Sequence, residues 1–200
     1  MDLRREAPPL VVVVCGASGV GKTRAAAALA ARYGVPLGEA DDIVTALRAL
    51  TNAEQQPELH YWATHPEAGS WPPTRIADLH FETADALRPA FAAVIADHVE
   101  FAAPVVMEGD YLTPELATEH PDRVVAVVLA EPDEARVVAN FRSREPLDGE
   151  QRIRAQVSVI VGERLAARAR RCGALVVATR PWADQVDRLD AVLRTRPGNR

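Results

Sequence analysis

The chain has 200 residues, of which 48% are hydrophobic and 26% charged, and its net charge is −5. This composition fits one globular domain that can bury a core without disulfides or structural metal, and it leaves no general basic surface for a nucleic acid backbone. Cys15 and Cys172 lack metal-site spacing, and no stretch approaches the roughly 20 apolar residues of a membrane span, so a cytoplasmic protein with no membrane or nucleic acid partner is expected.

Met1 to Pro9 carries Arg4 and Arg5, but the apolar run that follows is too short for a signal segment. That run, Leu10 to Val14, is β-branched and reads as a central parallel strand buried on both faces. Directly after it, Gly16, Ala17, Ser18, Gly19, Val20, Gly21, Lys22 and Thr23 spell G-x-x-x-x-G-K-T, a phosphate-binding P-loop. Strand, glycine-rich turn and helix are the context the motif needs, because backbone N–H groups and the helix dipole then favour an anion. Among the 23 Lys plus Arg residues, Lys22 is the only lysine. A compact charge on a flexible stem suits a place between phosphate oxygens.

A helix over Thr23 to Tyr33 should stop at Gly34, and a short strand, Val35 to Glu39, should lead into Asp41 and Asp42 at the start of a helix ending near Leu50. From Thr51 to Pro73 periodicity fails. Pro57, Pro66, Pro72 and Pro73 punctuate a stretch holding His60, Tyr61, Trp62, His65 and Trp71, which reads as a long functional loop. A helix resumes near Thr74 or Ile76 and reaches about Phe101, with a possible break at Pro89. Pro104 to Met107 is a third strand, ending in Glu108, Gly109 and Asp110; Val124 to Ala130 is a fourth. The helix opened by Pro132-Asp133-Glu134 carries Arg136, Arg142 and Arg144, and a break at Pro146 to Gly149 separates it from an arginine-rich helix ending near Cys172. Ala174 to Ala178 is the fifth strand, followed by a loop with Arg180, Pro181 and Trp182, a last helix over Asp184 to Leu193, and a frayed tail from Thr195 to Arg200.

Five strands alternating with helices after a P-loop predict a single three-layer α/β domain with a five-stranded parallel sheet. Its site belongs at the carboxyl ends of the strands. An acceptor-binding insertion is expected at about 41–103 and a lid at about 136–156. For the chemistry, Lys22 would neutralise phosphate oxygens and Thr23 would place its hydroxyl on Mg²⁺, with Glu108 as the acidic metal partner and Asp110 its competitor. A carboxylate must accept the proton of the attacking hydroxyl; Asp42 is the first choice and Asp41 the second, with helix capping as the ordinary alternative. Arg142 and Arg144, beside the break, would meet transition-state charge, ahead of Arg152 and Arg154. Arg75, Arg88, His60, His65, His80 and Trp62 lie where an acceptor would bind, and Arg180 and Trp182 where an adenine would lie.

With these motifs in place, the chain resembles small P-loop kinases related to 2-phosphoglycerate kinase, within the wider group of shikimate, adenylylsulfate and antibiotic kinases and zeta-type toxins. The resemblance rests on GASGVGKT, on ADDIVTALR after the second strand, on VVMEGDYLTPEL at the third and on LAEPDEARVVANFRSRE at the fourth; only the first is individually specific. It implies a three-layer P-loop NTPase/kinase fold with the five parallel strands in the order 2-3-1-4-5, ATP bound at Gly16 to Thr23, an acceptor-side aspartate at Asp42, an acidic residue at Glu108 and lid arginines at Arg142 and Arg144. Asp110 departs from the pattern, where relatives acting on phosphorylated acids would have an uncharged residue, and it disfavours 2-phosphoglycerate itself.

The expected activity is therefore ATP- and Mg²⁺-dependent transfer of a phosphoryl group to a hydroxyl of a small molecule, a metabolite or an antibiotic, by a monomer or homodimer. Three alternatives stand beside it. A nucleotide-hydrolysing switch would fit the P-loop, although no N-K-x-D element, second domain or oligomerisation arm is visible. A toxin-like kinase of a nucleotide sugar would use the same chemistry, and a nucleic acid end kinase would need a basic acceptor groove.

Overall fold

Val11–Gly16 forms β1, and all six of its residues are buried, as a continuous β-branched run should be when helices cover both faces of a sheet. The computed structural model describes residues 9–195; the N-terminal residues 1–8 and the expected frayed tail from 196 onward lie outside them. Around β1 the sheet is wholly parallel and ordered β2-β3-β1-β4-β5, with β2 at Leu37–Glu39, β3 at Val105–Glu108, β4 at Val124–Ala130 and β5 at Leu175–Ala178.

The helices are α1 (Lys22–Tyr33), α2 (Ala40–Leu50), α3 (Pro57–Thr64), α4 (Pro73–Glu100), α5 (Glu134–Arg144), α6 (Arg152–Cys172) and α7 (Gln185–Arg194). α1 and α7 pack together on the sheet, tied by Arg32 to Asp187 at 2.6 Å and by the Tyr33 hydroxyl donating to Asp190 at 2.8 Å. α4 and α6 pack together as the other layer, and β1, β4 and Leu29, Phe91, Ile95 and Leu165 make one core between them. Cys15 is buried in that core, and burial pushes its thiol up, so it stays protonated and inert.

Two elements differ from what periodicity suggests. The stretch from Thr51 to Pro73 is not a bare loop: it holds α3 and a 3-10 turn over Pro66–Ser70. Pro57, Pro66 and Pro73 each sit in the first turn of a helical segment, where a missing N–H costs nothing. Eight residues, with Leu59 the buried one in α3, are too few to display a helical period. The helix α4 runs its full 28 residues through Pro89 without ending. Pro89 lies on the exposed face, while Leu87, Phe91 and Ile95 on the buried face hold the helix to the core.

Strand register positions the site. Val14 pairs with Glu108, and Glu108 in turn with Glu39, so the carboxyl ends of β1, β3 and β2 come level. The P-loop, the Glu108-to-Asp110 turn and the first turn of α2 therefore meet at one edge. Gly109 permits the last contact: a Cβ there would run into the Cβ of Ala40 at the start of α2.

Candidate active site

The P-loop bends where glycine allows it. Gly19 has φ 78°, and a Cβ there would also come within 2.9 Å of the Phe141 ring from α5. Gly21 caps α1 without any side-chain hydrogen bond, so the amides of the first turn are left for an anion. The loop is braced from α5 and from the turn after β5. Asn140 Nδ2 donates to the Gly19 carbonyl at 2.9 Å, Arg180 donates to Asn140 Oδ1 at 3.0 Å, and the Thr179 hydroxyl donates to Glu131 at 3.2 Å.

Lys22 is buried, with 6% of its surface exposed. Its Nζ donates to Asp110 Oδ1 at 2.5 Å and to the Ala17 carbonyl at 2.9 Å. Burial alone would raise the Asp110 carboxyl, but the charge and hydrogen bond of Lys22, with help from Arg144, hold it below its ordinary value. Next to this pair, the Thr23 hydroxyl donates to Glu108 Oε1 at 2.7 Å. Burial raises the Glu108 carboxyl, opposed by Thr23 and Lys22. Partial withdrawal from water, then the like charge of Asp110, raises Asp41.

A cavity of about 380 Å³ lies over these groups, lined by Ser18, Gly19 and Gly21 to Arg24 of the P-loop and α1, by Asp41, Glu108 and Asp110, and by Arg144 and Arg154. Thr23 and Glu108 present oxygen donors only. Among the described residues no cluster of three or more His, Cys, Asp or Glu side chains could hold a metal. That donor set fits Mg²⁺, which usually takes one or two protein ligands and completes its shell from waters and phosphates.

A second cavity, about 620 Å³, opens beside the first and shares Ser18, Asp110 and Arg154 with it. Trp62, Ile76, His80 and Tyr111 line it on one part, and Ile153 and Val157 of α6 on another. His80 stacks on Tyr111 with ring centroids 5.0 Å apart. Burial lowers the imidazole to about 4 against the pull of Asp110, so it is neutral at physiological pH. A third hollow, about 510 Å³, is bounded by Arg136, Arg180, Pro181 and Trp182. The Arg180 guanidinium lies 3.7 Å over the Trp182 ring, and Arg24 approaches the same ring at 5.1 Å.

The residues singled out from sequence separate on this geometry. Asp41 and Asp42, adjacent at the start of α2, are both exposed residues, but of the two only Asp41 lines the phosphate-side cavity. Arg144 lines it, and Arg142 does not. Trp62, His80 and Asp110 line the larger cavity. His60 instead contacts the Thr51 hydroxyl at 3.1 Å, and Arg75 pairs with Glu82 at 2.9 Å and lies over Trp71, both away from that lining. The α5–α6 junction is held by Glu145, which Gln151, Arg144 and Arg154 bring down to about 2, and Arg154 also reaches Ser18 Oγ at 3.4 Å. Sequence reasoning passed over Asn140 and Phe141 altogether. Their signal was spacing: they precede Arg144 by four and three residues and so share its side of α5.

No family model matches the sequence, and no curated protein matches it either. Solved structures do. A gluconokinase from Sinorhizobium meliloti superposes with a TM-score of 0.57 at 22% identity, covering 95% of this chain and 93% of that one. A sugar kinase from Janibacter sp. gives 0.53 at 19% identity over 96% and 98% of the two chains. A shikimate kinase from Bacteroides thetaiotaomicron gives 0.51 at 18% identity over 92% and 98%. The chain shares its overall fold with these structures along almost its full length. Among the described residues no helix is long and apolar enough to cross a membrane.

Proposed function

We propose that this protein is an ATP- and Mg²⁺-dependent kinase that phosphorylates a hydroxyl group of a small molecule. The observation that carries this reading is the junction of two cavities at Ser18, Asp110 and Arg154: one is built for phosphate, and the other is large enough for a metabolite. A hydrolytic switch needs only the first. The names of the three similar structures, all kinases of small molecules, add support.

In this reading the triphosphate of ATP lies along Ser18 to Thr23, its charge met by the amides of the α1 N-terminus and by Lys22. The base would stack in the hollow at Arg180 and Trp182. Thr23 and Glu108 would hold Mg²⁺, which would supply positive charge to neutralise phosphate oxygens. The acceptor occupies the larger cavity with its hydroxyl at the Asp110 end. Its oxygen attacks the γ-phosphorus, the bond to ADP breaks, and the hydroxyl proton passes to Asp41, the raised carboxylate that faces the phosphate cavity. Arg144 and Arg154, carried by a lid over about 136–156, meet the charge that spreads on the transferring group. The segment of about 41–103 supplies the acceptor wall.

The test is ADP release measured over a panel of sugars, polyols, sugar acids and hydroxylated aromatic compounds, with and without chelation of Mg²⁺. A kinase releases ADP faster with particular acceptors and loses that release in EDTA. Release that no acceptor changes would turn the reading to a hydrolytic switch.

A further inference from the structure

The larger cavity also restricts what the acceptor can be, and this inference rests on the kinase reading above. Its lining is dominated by apolar and aromatic surface. Trp62 and Ile153 are large hydrophobic side chains left 43% and 51% exposed, and both border this cavity together with Ile76, Tyr111 and Val157. An exposed apolar patch inside a concavity, rimmed by polar groups, marks a surface meant to be covered by a ligand.

The charges in the lining are already matched. Asp110 is occupied by Lys22. Arg152 pairs with Glu150 at 2.6 Å; Arg154 pairs with Glu145 at 2.6 Å and, in the kinase reading, is taken up by the transferring phosphoryl group rather than by the acceptor. His80 is held neutral by burial. Of the cations nearby but outside the lining, Arg48 beside Tyr111 donates to the Leu59 carbonyl at 3.0 Å, and Arg75 is paired with Glu82. A carboxylate or phosphate entering here would give up its water and, among the described residues of the lining, meet only arginines whose charge is already shared with a carboxylate. It would also face Asp110 and, once nucleotide is bound, the triphosphate.

We propose that the acceptor is an uncharged, hydroxyl-bearing molecule with an apolar, preferably aromatic, body that rests against Trp62 and the Ile153–Val157 surface, and that acidic acceptors are refused. The specificity thus runs opposite to what the names gluconokinase and shikimate kinase suggest for the similar structures. Trp62 supplies the face for stacking, and the Asp110 end receives the hydroxyl.

The experiment has a binding arm and a turnover arm. In the first, the full chain is titrated without nucleotide with N-phenyl-1-naphthylamine, which is neutral, and with 1-anilinonaphthalene-8-sulfonate, the same skeleton carrying an anion. The neutral dye should bind at least about tenfold more tightly. Trp62→Ala should weaken it by about tenfold and Trp62→Phe should restore most of the loss, since these changes fall on a side chain 43% exposed and outside the hydrophobic core. Equal binding of the two dyes, or neutral-dye binding indifferent to Trp62→Ala, overturns the proposal. In the second arm, ADP release is compared for matched alcohol and acid pairs such as 2-phenylpropane-1,3-diol and 3-hydroxy-2-phenylpropanoate. Faster release with the alcohols is expected. Release raised by the acids alone overturns the inference and leaves the kinase reading standing, whereas label passing from ATP only to water, whatever compound is present, overturns the kinase reading itself.

Discussion

The only lysine of the chain, Lys22, donates to Asp110 at 2.5 Å and is held there by a second bond to the Ala17 carbonyl. Phosphate oxygens must compete with that carboxylate for the ammonium group. Asp110→Asn removes the competitor's charge and should tighten ATP binding by roughly three- to tenfold, about 1 kcal/mol, in a calorimetric titration. Unchanged or weaker binding would show that Asp110 does not compete with nucleotide for Lys22.

Asp41 and Asp42 are neighbours in α2, yet only Asp41 lines the phosphate-side cavity. Asp41→Asn should lower kcat by about 10² to 10⁴, while Asp42→Asn should change it less than tenfold. The pH profile gives an independent reading. A base must be unprotonated, and burial with Asp110 raises Asp41 from 3.8, so kcat/KM should fall on the acid side through a value above 3.8. Asp41→Asn should abolish that limb.

Gly19 combines φ 78° with a Cβ position 2.9 Å from the Phe141 ring. Gly19→Ala therefore adds left-handed strain of about 1–2 kcal/mol to a steric clash, and Tm should drop by about 2–8 °C. Adding Phe141→Leu should recover the steric part and leave the backbone part. Full recovery, or none, in differential scanning calorimetry would contradict this division.

His80 titrates at about 4 in the fold against 6.5 for the free side chain, with burial as the first cause. The unfolded chain thus binds its proton first. Stability should be lost as pH falls from about 6.5 toward 4, and below 4 this loss is complete, at most about 3 kcal/mol from this residue. In urea unfolding between pH 7 and 4, His80→Gln should flatten this part of the curve. The same slope in variant and parent would place the effect elsewhere.

What could be read from the chain and what could not follows from the periods involved. The strand order and the position of the site at the strand ends were legible because β1 is a buried β-branched run leading straight into GASGVGKT, and β3 and β4 are similar runs. Helical faces were harder. Successive residues on a helix point about 100° apart, so Asp41 and Asp42, or Arg142 and Arg144, can be told apart only once the packing of α2 and α5 is known. The Phe141 ring beneath Gly19 joins residues on distant elements, a pairing that no local pattern announces. The short α3 was hidden because eight residues with one buried position carry almost no periodic signal.

Transfer of label from [γ-³²P]ATP, with products separated into phosphate ester and inorganic phosphate, tests the central claim most directly. With an uncharged hydroxylated acceptor, we predict that label appears on the acceptor, and that Lys22→Ala lowers the rate by about 10³ while the chain stays folded. Label found only in inorganic phosphate, or ester formation undiminished in Lys22→Ala, would contradict it.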